Sequence, residues 1–146
     1  MNTGIKKYLT VDTLGKSKLE LVIRVYDGAI SCLKNAVDHY KKDDLKAGYE
    51  AMEKAKKFLV HLYTTLDEEK GGDIAGKLGQ LYAFIIQQIN FVQATKDLSR
   101  IEHSITALNN IREAWVDLDD QQKNKNGDSA KNPHHDKPAK GVSYSV

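Results

Sequence analysis

Histidine, cysteine and carboxylate side chains are the residues of this sequence that could perform chemistry. A di-iron centre in a helical bundle needs Glu-x-x-His pairs on two helices, and no Glu here has a His three residues later. Cys32 stands alone, so it can form neither an internal disulfide nor a cysteine-based zinc site. The adjacent His134 and His135 lie in a flexible polar segment, where no folded element would hold a cage of ligands around a metal ion. The sequence therefore predicts no metal site and no cofactor.

Phosphoryl transfer to a histidine is the enzymatic alternative, because histidine phosphotransfer domains are helical bundles with one exposed histidine. The candidates are His39, His61 and His103. His61 stands among bulky apolar residues, and the carboxylate of Glu102 beside His103 would repel a phosphate group. No nucleophile elbow, glycine-rich phosphate loop or paired-carboxylate motif occurs in the sequence. We therefore predict that the chain is not an enzyme, and the phosphotransfer module stays open as an alternative.

The elements that would position such residues are all predicted to be helices. Between Ser17 and Asp119 the apolar residues recur at the spacing of an amphipathic helix in four segments, without the sustained alternation typical of strands. Ser17 and Glu20 form a capping box that starts the first segment. Asp43-Asp44 and Gly71-Gly72 mark the first two turns. The predicted helices run from Ser17 to about Tyr40, from Leu45 to about Leu66, from about Asp73 to Thr95, and from about Asp97 to Leu118.

Four helices of similar length that are joined by short loops pack as antiparallel neighbours. The fold class is therefore predicted to be all-α: an antiparallel up-down-up-down four-helix bundle with an N-terminal apolar arm and a disordered C-terminal tail. We place the arm at residues 1–16, the bundle at 17–119 and the tail at 120–146. Disorder is predicted for the tail because it is polar and has few apolar side chains to bury.

Charge and hydropathy exclude two classes of partner. The 22 basic and 20 acidic residues give a net charge of +2, and residues 1–119 carry equal numbers of both signs. The excess therefore lies in the tail and not in a basic stripe on a folded element, so no nucleic acid partner is predicted. Apolar runs are shorter than the roughly 18 residues of a membrane span, so no membrane insertion is predicted. The N-terminus lacks the apolar core of a secretory signal, and we expect the chain to be cytoplasmic.

Apolar residues outside the predicted core stripes are candidates for a binding surface. Four of them flank the stripe of the first helix: Leu21, Val25, Gly28 and Cys32. Two more lie one heptad apart among glutamines on the third helix: Phe84 and Phe91. Three in the N-terminal arm could cover a groove when no partner is bound: Ile5, Tyr8 and Leu9. Exposed apolar patches often mark partner sites, but a neighbouring helix could equally cover the flank of the first helix.

Three strings of residues carry a resemblance to a known family. They are Val25-Tyr26-Asp27-Gly28-Ala29-Ile30, Leu66-Asp67-Glu68-Glu69-Lys70-Gly71-Gly72-Asp73-Ile74-Ala75 running into Leu78-Gly79-Gln80-Leu81-Tyr82, and Ile111-Arg112-Glu113-Ala114-Trp115. In order and in spacing, the chain from about Lys7 to Leu118 resembles the flagellar secretion chaperone family FliS.

The resemblance implies a cytoplasmic bacterial chaperone. Proteins of this kind bind the C-terminal segment of flagellin, prevent its premature polymerisation and deliver it to the flagellar type III export apparatus. The resemblance also implies that the N-terminal arm occupies part of the path of the client when no client is present. We expect the free protein to be a monomer or a weak dimer, and a self-associating structural bundle stays open as a further alternative.

Overall fold

The computed structural model describes residues 15–130, with side chains described for 18–124 except Glu68 and Lys70. This part of the chain forms four helices and no strand: α1 Gly15–Lys41, α2 Leu45–Thr64, α3 Glu68–Thr95 and α4 Ile101–Ala130. The predicted all-α four-helix bundle is confirmed. The predicted arm residues Ile5, Tyr8 and Leu9 lie outside the described residues, as does the tail beyond Ala130.

The helices pack in chain order around one core. Helix α1 contacts α2 and α4, α2 contacts α3, and α3 contacts α4. The connections between successive helices are short, so each helix runs back along the one before it. The apolar face of each helix points to the centre of the bundle. Large side chains from every helix are buried there: Leu19 and Leu33 from α1, Met52 and Leu59 from α2, Ile85 and Ile89 from α3, and Ile101 and Leu108 from α4.

An aromatic cluster joins three of the helices inside the core. The hydroxyl groups of Tyr26 on α1 and Tyr82 on α3 lie 2.6 Å apart and share a hydrogen bond. Trp115 on α4 meets Tyr26 edge to face, with ring centroids 6.1 Å apart. Burial raises the pKa of Tyr26 to about 12, although the hydrogen bond to Tyr82 acts in the opposite direction. Tyr26, the residue of the first resemblance string that lies on the predicted core stripe, is therefore a core residue.

The first two turns follow the predicted residues. The carboxylate of Asp44 accepts a hydrogen bond from the backbone N–H of Ala47 (3.2 Å) and caps α2, which begins at Leu45 as predicted. Gly72 has φ 54° and ψ −129° and interrupts the helical path within α3. Positive φ favours glycine, so the main body of α3 begins near Asp73, as the glycine pair indicates.

The starts of α1 and α4 differ from the prediction. Helix α1 begins at Gly15 rather than Ser17. Helix α4 begins at Ile101 rather than Asp97, because the Asp97 carboxylate accepts a hydrogen bond from the backbone N–H of Ser99 (2.9 Å) in a turn before the helix.

Helix α4 runs beyond its predicted end near Leu118. The helix continues to Ala130. At the start of this extension, Lys123 pairs with Asp119 one turn earlier (3.1 Å) and with Glu20 on α1 (3.6 Å). The division of the chain into arm, bundle and tail at residues 16 and 119 stays a prediction.

None of the helices in the described part combines the length and the hydropathy that a bilayer-spanning segment requires.

Candidate protein-binding surface

The predicted flank of α1 lies largely at the interface with α2. Leu21 is 54% exposed, whereas Val25 and Cys32 are half-buried and pack against the core. At Gly28 the ring of Phe58 from α2 occupies the space, because a Cβ atom there would lie 2.5 Å from the Cζ atom of Phe58. A helix of the same chain therefore covers the flank at Gly28 and leaves Leu21 outside.

Cys32 is a poorly reactive thiol in this setting. Burial raises its pKa, and the positive charge of Lys54 only partly opposes this effect. Because the thiolate is the reactive form, a raised pKa lowers reactivity at neutral pH. Cys32 packs against the core as a partly buried side chain.

The two phenylalanines predicted on α3 share one side of that helix. Phe84 is 50% exposed. Phe91 is half-buried, and the guanidinium carbon of Arg100 lies 4.2 Å from the centre of its ring. Arg100 belongs to the connection between α3 and α4, so this connection lies against Phe91. The α1 flank thus meets α2 at Gly28, whereas Phe91 meets the connection between α3 and α4.

A third group of exposed apolar residues was not predicted from the sequence. Tyr49, Val60 and Tyr63 on α2 are each about half-exposed. Their spacing puts them on one face of α2, beside the buried stripe that contains Met52. The sequence signal for this group was the presence of apolar residues beside the core stripe of α2. Helical spacing alone, however, does not show which residues at the edge of a stripe are buried by a neighbouring helix.

The face of α2 that carries these residues lies along α3. The ring of Tyr63 lies beside Gly79, where a Cβ atom would be 3.5 Å from its Cε1 atom. The side-chain N–H of Gln93 donates to the backbone oxygen of Tyr49 (3.3 Å). Tyr49 and Tyr63 thus lie along the edge at which α2 meets α3.

The residues with catalytic potential lie apart from one another. His61 on α2 and His103 on α4 are exposed. His39 is half-buried at the end of α1, with its Nδ1 atom 3.9 Å from the nearer carboxylate oxygen of Asp44. In the described residues, no three His, Cys, Asp or Glu side chains converge on a point that could hold a metal ion. The surface is suited to contact with another protein through apolar side chains.

Comparison with known proteins decides the family. A sequence model described as "Flagellar protein FliS" matches residues 1–122. The chain belongs to the FliS family. A FliS relative from Salmonella typhimurium is 35% identical over 121 residues, which cover 80% of this chain and 90% of the relative. A second from Vibrio cholerae is 29% identical over 96 residues, 66% of this chain and 71% of the relative. A third from Campylobacter jejuni is 25% identical over 103 residues, 70% of this chain and 80% of the relative.

All three FliS relatives carry the name flagellar secretion chaperone. Chaperones are binding proteins and not catalysts, which agrees with the prediction for this chain. The family match ends at residue 122, close to the pairs of Lys123 that join α4 to α1. The match therefore covers α1, α2, α3 and most of α4. The resemblance of the three sequence strings is confirmed at the level of the family.

Proposed function

We propose that this FliS family member is a cytoplasmic export chaperone for flagellin. It binds the C-terminal segment of flagellin on apolar surface, prevents premature polymerisation and delivers the client to the flagellar type III export apparatus. The observation that carries the proposal is that large apolar side chains are exposed to solvent on a bundle of this family. Leu21 and Phe84, both predicted as contact residues, are half-exposed on α1 and α3.

The magnitude of this surface sets the size of the binding site. Full burial of a large apolar side chain contributes roughly 1.5 to 3 kcal/mol, so burial of the exposed halves of Leu21 and Phe84 contributes about 2 kcal/mol together. A dissociation constant of about 1 μM corresponds to about −8 kcal/mol, and ordering a client segment costs several kcal/mol more. Productive binding therefore requires contacts beyond the predicted residues, spread over more than one edge of the bundle.

Calorimetry with the C-terminal segment of a flagellin from the same bacterium tests the function. The full chain binds the segment, and Leu21→Asp and Phe84→Asp each weaken the affinity at least about tenfold, which is about 1.4 kcal/mol. Asn110→Asp is the matched control, because it adds the same charge to an exposed position of α4. Circular dichroism checks that helical content is unchanged. No heat of binding at about 50 μM protein, or equal affinity in all variants, contradicts the proposal.

Light scattering addresses the self-associating bundle. A chaperone of this design is a monomer or weak dimer that forms a defined complex when the flagellin segment is added. A tight dimer that loses its self-association in Phe84→Asp and ignores the segment favours the structural alternative instead.

A further inference from the structure

Helices α2 and α4 carry opposite charge along the outside of the bundle. Helix α2 contains four lysines and two glutamates. Between Ile101 and Asp120, α4 contains five carboxylates and one arginine. Because α1 and α3 each contact both α2 and α4, these two helices lie at opposite corners of the bundle. The described part of the chain therefore has a basic edge at α2 and an acidic edge at α4.

The basic edge has a stripe of side chains whose charge is not neutralised locally. Lys54, Lys57 and His61 are exposed and lie on one face of α2, because they are spaced by three and four residues. The two glutamates of α2 already hold other lysines, at 3.0 and 3.7 Å. Lys57 acts on Glu53 at longer range and forms no ion pair with it. Lys54 and Lys57 therefore lack an ion pair among the described residues.

The acidic edge has a stripe with the opposite deficit. Glu113, Asp117 and Asp120 are exposed at intervals of four and three residues on one face of α4. Glu113 shares the guanidinium group of Arg112 with Asp27 of α1, so one positive charge serves two carboxylates. Asp117 and Asp120 form no ion pair within the described part of the chain. The stripe therefore keeps an excess of negative charge.

The remaining charges near the two stripes do not cancel them. Lys123 is shared by two carboxylates, Asp119 and Glu20. Helix α3 has no charged side chain from Leu78 to Thr95. Helix α1 lies between the two edges and exposes charges of both signs: Arg24, Asp27, Lys34 and Asp38. The opposite charges of α2 and α4 are therefore available to a partner.

The two stripes match in spacing when the helices run antiparallel. Along α2 the intervals are three and then four residues, and they are the same along α4 when it is followed backwards. Lys54 then faces Asp120, and Lys57 faces Asp117. Each stripe spans seven residues, or about 10 Å at 1.5 Å per residue. Because the stripes lie on opposite sides of one bundle, they can meet only between two copies of the chain.

We propose that the acidic stripe of α4 in one copy docks on the basic stripe of α2 in another. One turn beyond the paired stripes, Glu50 faces the uncharged Asn124, so the contact opposes no like charges there. Two copies cannot make both contacts at once, so the association is head-to-tail and adds copies in a row. Exposed ion pairs are individually weak, so the association is reversible and forms at low salt and high protein concentration. This inference goes beyond the proposed function, because it involves no client.

Sedimentation velocity of the full chain without client tests the contact. At about 0.5 mM protein and about 0.05 M NaCl, the average mass exceeds that of the monomer. The association constant falls at least about tenfold in about 0.5 M NaCl, because salt screens exposed charges. The monomer mass of 16.4 kDa is the reference for both measurements.

Charge exchange tests the pairing of the stripes. The double variant Lys54→Glu with Lys57→Glu loses the association, and so does Asp117→Lys with Asp120→Lys. All four exchanges in one chain restore it, because the stripes are complementary again and the net charge returns to the +2 of the parent. Circular dichroism checks that the helical content of every variant is unchanged. If a reversed variant loses helical content, Lys54→Gln with Lys57→Gln takes its place.

A matched control separates the stripes from net charge. Lys34→Glu with Lys77→Glu changes the charge by the same amount at exposed positions of α1 and α3. This variant keeps the association, although its net charge equals that of the reversed α2 variant.

Four results would overturn the proposal. They are a monomer at low salt, an association that survives in the high-salt buffer, a fourfold exchange that folds without associating, and an equal loss of association in the control. Loss of association in Phe84→Asp would also contradict it, since apolar contact would then join the copies. Failure to bind the flagellin segment overturns the proposed function alone, because these measurements contain no client.

Discussion

Replacement of Gly28 by alanine separates local helix preference from packing between helices. In the interior of a helix, alanine is favoured over glycine by about 1 kcal/mol. At Gly28, however, the new Cβ atom would lie 2.5, 2.6 and 3.0 Å from three ring atoms of Phe58. Phe58 is half-buried and packed against the core, so its ring cannot simply turn away. Overpacking of this kind costs roughly 1 to 3 kcal/mol, and we expect a net loss of about 1 kcal/mol in the free energy of unfolding.

Gly76→Ala is the matched control, because nothing lies within 4 Å of a Cβ atom at that position. The same substitution there should stabilise the protein by about 1 kcal/mol. Urea denaturation followed by far-UV circular dichroism measures both changes, and the two variants should differ by about 2 kcal/mol. Adding Phe58→Leu to Gly28→Ala should recover part of the loss.

Equal stability of the two alanine variants would refute this reasoning. It would mean that Phe58 moves without cost and that the space beside Gly28 is available to a client. A difference of the expected size shows instead that this space belongs to the fold.

Three further changes test the core hydroxyl, a surface ion pair and the strained turn. The pKa of Tyr26 is raised from 10.0 to about 12, so the folded state favours the neutral phenol. About 3 kcal/mol of stability should therefore be present below pH 10 and be lost as the pH rises from 10 to 12. Urea denaturation across that pH range measures this loss. Arg112 donates to Asp27 at the surface between α4 and α1, and Asp27→Asn should cost only about 0.5 kcal/mol, with the difference from the parent vanishing in high salt during thermal unfolding. Gly72→Ala should destabilise by about 1 to 2 kcal/mol because φ is 54° there, whereas unchanged thermal stability would show that the turn relaxes.

The helices could be predicted from the sequence because their signals are local. Apolar residues at helical spacing located the four segments, Asp44 capped the second helix through its own side chain, and Gly72 supplied the backbone angle of the turn. Each of these effects acts within one or two turns of chain, so a single sequence contains what is needed to find it.

Contacts between helices account for what could not be predicted. The cover over Gly28 is Phe58, which lies thirty positions away in the chain, and the spacing of α1 alone does not show which neighbour brings a ring to that point. Helix α4 extends beyond its last apolar residues, where Lys123 reaches Glu20 on α1, a contact that the pattern of α4 alone does not show. The exposure of Tyr49, Val60 and Tyr63 depends on how much of the apolar stripe of α2 is covered by α3. The periodicity of the α2 sequence does not contain this information.

Trp115 is the single tryptophan of the sequence, and it is buried in the core against Tyr26. Its fluorescence therefore comes from the centre of the bundle, with emission at short wavelength while the ring is dry and at longer wavelength once water reaches it. A ligand on the outer faces of α2 and α3 leaves these surroundings unchanged. The protein thus carries an intrinsic optical signal for folding that does not respond to occupancy of its surface, so the folding of each variant can be checked separately from its binding.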